Sequence, residues 1–425
     1  MKRKLCRQMG NEWSSNVWIV LELLIVSVVM WYVTDSLWVK YKIYTEPDGF
    51  NIDNVYKVRV EAIKENSPDF KSGDANDVKN VGDLLKQRFT QNPYVESVAF
   101  LSTGVNPYRS GWSTGGFYAV NNGDTISPIE STIVSRASVS PEIATVLGYE
   151  GARGETSQEI AEILRRNEAV VSENVVNGLN IDPYSLIGYN VVSPTYIIDG
   201  ERHGGVLTRI GGVIKSPREG QFTPSRNDAM LLFPGEFDGL WSGLAVKVKD
   251  GMGAEFEEEV YSNIESKYRV ENHYVSELIS YDRLRDEFQR KDMLIVRNLV
   301  TCMLFLAVSV FLGLLGSFWF RTQQRFGEIA IRKVNGAKPS DIFRRLISEG
   351  LLLLVMVTPV ALVIDYMIAR SELTDALYDE YFGMGRLAVC AALTFLSLAA
   401  MMVLGIWLPA RKAMKLDASE VLKNE

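Results

Sequence analysis

The pattern of apolar and polar positions divides the chain into two regimes. Four stretches stay almost continuously apolar for about 20 residues, the length at which a helix crosses a hydrocarbon core of roughly 30 Å. They are residues 16–34, 291–320 (uncharged from Leu299 to Phe320), 346–369 and 387–408. Between the first and second lies a long block, 35–290, in which apolar residues recur instead at periods of two and of three to four. The pattern predicts an α-helical membrane protein with four transmembrane helices and a large α+β extracytoplasmic domain between helices 1 and 2.

Within the block, Tyr56, Val58, Val60 and Ala62 alternate with Lys57, Arg59 and Glu61, the period of a half-exposed strand. "DVKNVGDLLKQRF" then spaces Val78, Val81, Leu85 and Phe89 as on a helix, and "VESVAFLS" reads as a strand, which together predict a β-α-β unit. Gly115 and Gly116 read as a hairpin or loop. A second portion begins after "GYEGARGETSQ", with the subdomain boundary expected near 125–150. It has a helix at "SQEIAEILRR", apolar runs at "EAVVSENVV" and "TRIGGVIKS", a strand "LAVKVKDG" closing in an Asp-Gly turn, and a helix with Phe256, Val260 and Ile264 on one face. Finally "YDRLRDEFQRKDMLIVRNLV" contains no Gly or Pro and places Tyr281, Leu284 and Phe288 together. It fits either a stalk helix continuing into the second span or an ordinary amphipathic helix beside the membrane.

Charge sets the orientation. Residues 321–345 hold seven basic and two acidic side chains, whereas 370–386 hold two basic and four acidic. Basic loops stay in the cytoplasm, so 1–15, 321–345 and 409–425 are expected inside and 35–290 and 370–386 outside, in a multi-pass protein of the inner membrane. The basic start "MKRKLCR" precedes an apolar run without a small-residue cleavage site, the pattern of an uncleaved anchor. Residues 41–290 carry 37 acidic and 25 basic side chains, a balance that excludes nucleic acid as a partner. None of the three cysteines (Cys6, Cys302, Cys390) lies there, so the outer fold must rest on its core.

No catalytic chemistry stands out. The two histidines, His203 and His273, are not in a ligand-spaced motif, and neither GxxxxGK[ST] nor GxSxG occurs. The sequence therefore indicates a non-catalytic chain with no metal site and no cofactor. Within the spans, Gly313 and Ser317 have the small-xxx-small spacing of a helix contact. Pro359 is placed to kink the third span, and Glu22 is a charge in the first.

The most structured polar segment is "RFGEIAIRKVNGAKPSDIFRRLISEG", Arg325 to Gly350. Phe326, Ala330, Val334 and Ala337, with Ile329 beside them, form one apolar stripe, while Glu328 and Arg332 can pair at i,i+4. Asn335-Gly336 supplies a helix stop and Lys338-Pro339 a new start. Physically this is either an amphipathic helix held against anionic lipid by its Arg and Lys or a helix that docks in a groove of a cytoplasmic partner.

These residues resemble the signature of the FtsX/MacB family of ABC transporter permeases, R-x-x-EI-x-IR-K/R-x-x-GA before a span. The matches are Arg325, Glu328, Ile329, Ile331, Arg332, Lys333, Gly336 and Ala337, with Ile342 and Glu349 following. The ending "PARKAMKLDASEVLKNE" is similar to that family's C-terminal motif through Pro409, Ala410, Arg411, Ala413, Glu420 and Leu422, with Ala418 and Val421 replacing its usual proline and alanine. The resemblance implies a MacB-like periplasmic core domain and a cytoplasmic helix abutting a separate ABC ATPase subunit, with Arg325, Phe326, Glu328, Ile329, Arg332, Lys333, Gly336 and Ala337 as the coupling residues. It also implies a second permease chain, identical or paralogous, and movement transmitted through helices to the outer domain for export or transenvelope signalling. A periplasmic adaptor and an outer-membrane channel are further partners found in the family. The other reading of the residues is a membrane-anchored binding or scaffold protein whose basic loop touches only lipid.

Overall fold

The computed structural model describes residues 13–71, 78–101, 107–108, 118–121, 124–126, 134–177, 179–198, 201–224, 229–234, 243–370 and 383–415. The expected loop at Gly115 and Gly116, the basic start, most of the loop 370–386 and the final residues Ala418, Glu420, Val421 and Leu422 lie outside them. The chain forms two compact units, Ile43–Lys291 and the remainder.

The chain enters through α1 (Trp13–Tyr44). The Ile43–Lys291 unit, the outer unit of the expected topology, follows with β1 (Val55–Ala62), α2 (Val78–Thr90), β2 (Val95–Phe100), β3 (Tyr118–Asn121), β4 (Asp124–Ile126), β5 (Val134–Val139) and the single turn α3 (Ile143–Val146). Next come α4 (Ser157–Arg165), β6 (Glu168–Ser172), β7 (Asn190–Ile198), β8 (Glu201–Ile214), β9 (Ala229–Pro234) and β10 (Leu244–Val248). The unit closes with α5 (Gly253–Ser262), the single turn α6 (Ile264–Lys267), β11 (Arg269–Val270) and β12 (His273–Ser280).

One sheet has the order β11-β12-β1-β10-β2, every described neighbour pair antiparallel. The expected β-α-β unit is thus split. β1 and β2 flank β10, which arrives some 140 residues later in the chain, and β10-α5-β12 interleaves with β1-α2-β2 in a ferredoxin-like arrangement. Val58, Val98 and Val246 on this sheet pack with Leu85 and Phe89 of α2 and Phe256 and Val260 of α5. Ala99 and Ala245 pack in a different cluster, with Tyr149, Ile160 and Tyr281. Burial on both faces explains why β10 reads as an apolar run rather than an alternation. Ile264 does not continue the α5 face, because the helix stops at Ser262 and the residue is only half-buried in the next turn.

The second sheet, β4-β3-β7-β8-β6-β9-β5, is an insertion between β2 and β10 rather than a C-terminal half starting near 125–150. It contains the parallel pairs β5/β9 and β6/β8. Its α4 begins with a capping box: Glu159 N–H donates to Thr156 Oγ1 at 3.3 Å, and Thr156 N–H donates to the Glu159 carboxylate at 2.7 Å. Thr156→Ala is expected to cost about 1 kcal/mol, read as a lower denaturation midpoint of the outer unit with an unchanged fold.

Three long helices complete the chain: α7 (Tyr281–Gln324), α9 (Pro339–Ala369) and α10 (Met384–Lys415), with the short α8 (Phe326–Val334) between the first two. Among the described residues, α1, α7, α9 and α10 are long and apolar enough to cross a membrane. α1 extends beyond the expected end at residue 34, and α10 beyond 408, running through Pro409 as α9 runs through Pro359. α7 is a single helix of 44 residues, about 66 Å long at 1.5 Å per residue. Tyr281 at its start is fully buried in the outer unit's core, with Leu284 and Phe288 packed against the same cluster.

Glycines permit close approaches in the membrane bundle. A Cβ at Gly350 of α9 would lie 2.5 Å from Ile406 and 2.9 Å from Met402 of α10, and one at Gly405 would lie 3.4 Å from Leu314 of α7. Gly313, expected with Ser317 at a helix contact, lies against α1, where it faces a polar group. A Cβ there would sit 2.5 Å from the carboxylate of Glu22, so the charge in α1 occupies the space that the missing side chain leaves. Ser317 is half-buried.

Candidate functional site

The segment from Arg325 to Gly350 folds as helix, turn and helix at one end of the bundle. α8 has nine residues, too few for an isolated helix to persist in water, so its neighbours must hold it. Ile329 and Ala330 are buried, Ile329 within the bundle's core, and Phe326 packs against the same cluster. Lys333 Nζ donates to the carbonyl of Met414 at 2.7 Å, placing a cation at the negative end of the α10 dipole.

The turn is built by its residue types. Gly336 has φ +87°, a left-handed conformation that a Cβ disfavours. Gly336 N–H donates to Lys333 O at 3.0 Å and Ala337 N–H to Arg332 O at 3.0 Å, the paired bonds of a Schellman cap. Pro339 occupies the first turn of α9, where its missing N–H is no loss. The Asp341 carboxylate accepts from Lys338 N–H at 3.2 Å.

Five side chains then join the two helices in an alternating series. Arg332 meets Glu328 at 2.6 Å, Glu328 meets Arg345 at 3.6 Å, Arg345 meets Glu349 at 3.3 Å, and Glu349 meets Arg325 at 2.8 Å. These groups border a shallow groove of about 90 Å³ that also includes Ile329, Ile342, Leu346, Ala337 and Asp341. Three guanidiniums share two carboxylates, so the series ties α8 to α9. Arg345 was not singled out in the sequence, although its i,i+4 spacing to Glu349 was a readable signal.

The expected apolar stripe does not form as a whole. Val334 is 66% exposed, as is Ile331 at 53%, while Ala337 is half-buried. The reason is the contact through Ile329 and Ala330: a helix seated on those two residues turns positions 331 and 334, three apart and on one face, away from the bundle. α8 therefore offers an apolar outer face backed by a locked inner one.

Of the C-terminal motif, Pro409 and Ala410 are buried inside α10, Ala410 in the bundle core, and Arg411 is exposed one residue later. They lie on the same helix whose Met414 carbonyl anchors Lys333. Thr358 beside the exposed Pro359 donates its hydroxyl to Leu354 O at 2.7 Å.

The sequence missed a second polar site in the bundle. Asp35 of α1 and Arg386 of α10 form a two-pronged ion pair, Nε to Oδ1 at 2.7 Å and Nη2 to Oδ2, with both side chains nearly inaccessible. Trp31, Ala369 and Cys390 pack in one small cluster. Asp365, one turn before Ala369, is buried, and its Oδ1 has no hydrogen-bond partner among the described residues.

Residues 300–418 match the family model described as FtsX-like permease C-terminal. The chain is also similar to a Macrolide export ATP-binding/permease protein MacB from Shewanella oneidensis, with 22% identity over 299 residues that cover 68% of this chain and 43% of that protein. It thus matches less than half the length of that relative. Four helices long and apolar enough to span a membrane, an α+β domain between the first and the rest, and this match from within α7 to the end of α10 make the C-terminal region of the chain similar to the FtsX-like permeases.

Proposed function

We propose that the chain is the membrane subunit of an ABC transporter, driven by an ATPase carried on a separate subunit. The observation that carries this reading is α8, whose exposed Ile331 and Val334 stand on a helix braced from behind by five charged side chains. A helix meant only for lipid would put its apolar face toward the acyl chains and its cations toward headgroups. Here the cations are spent on internal pairs, and the outward apolar face suits the groove of a partner. The excess of Arg and Lys in 321–345 supports a cytoplasmic position for this segment, and the relative's printed name joins an ATP-binding part to a permease part.

In this reading α7 carries the response. A helix rooted by Tyr281 in the outer core and continuing through a span passes displacement along its length without an intervening loop. The subunit works beside a second permease chain in the inner membrane, with the outer domain as the moving element for export or signalling.

The test uses Ile331→Asp and Val334→Asp together. Both side chains are exposed, so folding should be kept, while loss of two interface anchors is expected to weaken ATPase association about 30-fold or more. Mild detergent extraction from native membranes followed by mass spectrometry measures it. A P-loop ATPase that co-purifies with wild type and not with the variant supports the reading. Equal recovery, or no ATPase with a folded wild-type chain, sinks it and leaves the anchored binding protein.

A further inference from the structure

Between α7 and α10, on the surface of the membrane bundle, lies an open groove of about 610 Å³, with Leu312, Leu315, Gly316 and Leu408 along it and Trp319, Arg411 and Lys412 completing its border. The size falls within the range of small-molecule sites. A Cβ added at Gly316 would meet nothing within 4 Å, so the groove is unfilled at that residue.

The cations decide what fits. Lys412 Nζ lies 4.4 Å from the centre of the Trp319 ring, and the Arg411 guanidinium 5.6 Å from that of Trp407. Among the described residues neither meets a carboxylate, whereas Arg325, Arg332 and Arg345 nearby in the fold all do. Indole rings beside basic side chains mark the level of the membrane interface. An apolar trough ending at that level under two positive charges that meet no carboxylate among the described residues calls for a molecule with acyl chains and a negative head.

We propose that this groove is a binding site for one anionic phospholipid, its acyl chain along Leu312, Leu315 and Leu408 and its phosphate between Arg411 and Lys412. A second copy of this chain is a poorer occupant, because symmetric packing on this face would bring the same two cations from each copy toward one another. A zwitterionic lipid fills the trough equally well but offers no net charge to the pair. Two basic side chains at a membrane surface imply a preference for the anionic lipid of about 30-fold.

The full chain, delipidated in detergent, is titrated with phosphatidylglycerol or with phosphatidylcholine of the same acyl chains, and bound lipid is counted by native mass spectrometry. One phosphatidylglycerol per chain, held about 30-fold more tightly than phosphatidylcholine, is expected. Arg411→Gln with Lys412→Gln should erase that preference while keeping the weaker binding. Gly316→Leu, which fills the trough and spares both cations, should weaken both lipids alike. Unchanged thermal unfolding of each variant shows that the fold is intact. Equal binding of the two lipids to wild type, a preference that survives the double substitution, or glycerol phosphate binding as tightly as the lipid would each overturn the proposal. So would a dimer that Gly316→Leu dissociates without loss of lipid.

Discussion

Arg386→Gln is expected to destabilise the membrane bundle by about 3–5 kcal/mol, the usual cost of leaving one partner of a buried ion pair uncompensated. In the folded chain the two side chains are 7% and 6% exposed, and the guanidinium meets both oxygens of Asp35. Without it the Asp35 carboxylate stays buried with no cation among the described residues, in a region that already contains Asp365, 3% exposed and with one oxygen that has no hydrogen-bond partner among them. The penalty arises from the stranded charge, not from the lost contact itself. Asp35→Asn with Arg386→Gln should therefore recover most of the loss, since two neutral polar groups of similar shape can bond to each other. Thermal unfolding of the full chain in detergent reads the effect, on the order of 10 °C for the single substitution. A single variant as stable as wild type would show that the pair is not formed, and a double variant no better than the single would show that Arg386 acts through another group.

That pair also marks where the sequence was legible and where it was not. Hydropathy placed the first span at 16–34 and the fourth at 387–408, each boundary drawn beside a charge, Asp35 and Arg386. A charge at the end of an apolar run reads as the limit of the membrane. Two opposite charges that meet across helices cancel that signal, and no period within either segment shows it. The structure instead extends α1 to Tyr44, so that Asp35 is an interior residue of a helix.

Local chemistry was readable and long-range pairing was not. Gly336 and Pro339 dictated the stop and the restart of the segment from Arg325 to Gly350 because only their own backbone limits are involved. The strands β1, β2 and β10 were visible as strands, yet the insertion of β10 between the other two depends on contacts across some 140 residues. At α8 the i, i+3, i+4 count grouped Val334 with the buried side because it lies four residues from Ala330. The seat on Ile329 and Ala330, fixed by tertiary packing, turned it outward with Ile331. A periodic stripe on a nine-residue helix leaves its rotation open by one residue, about 100°, and that rotation separates the lipid reading from the docking one.

Arg218→Ala is expected to cost the outer unit about 3–5 kcal/mol and to loosen the place where the chain leaves α1. The side chain is inaccessible to solvent. Its Nη1 donates to Ile43 O at 2.6 Å and Gln221 O at 3.2 Å, and its Nη2 to Glu46 O at 2.6 Å and to the Asp48 carboxylate. The backbone follows the same path, with Arg218 N–H donating to Asp48 O at 3.1 Å. Gly49 makes this approach possible: at φ +74°, a Cβ there would lie 2.4 Å from Ser216 O. Removing the guanidinium takes a donor from three carbonyls and a carboxylate at once, although Ile43 O still accepts from Glu46 N–H at 3.1 Å. Asp48, partly exposed, can take up water, so the lost charge-assisted bonds to the carbonyls set most of the cost. Arg218→Lys should be nearly as damaging, because an ammonium cannot span acceptors that the planar fork reaches in two directions. Gln289 of α7 donates to Gln221 at 3.0 Å, so the same knot touches the start of the long helix. Hydrogen exchange on the full chain is the measurement: faster exchange confined to residues 43–51 and 215–221 and the first turns of α7 is expected, with the β10 and β12 amides retaining protection. Uniform loss of protection would mean that Arg218 supports the whole outer fold, and no change would mean that its acceptors are satisfied without it.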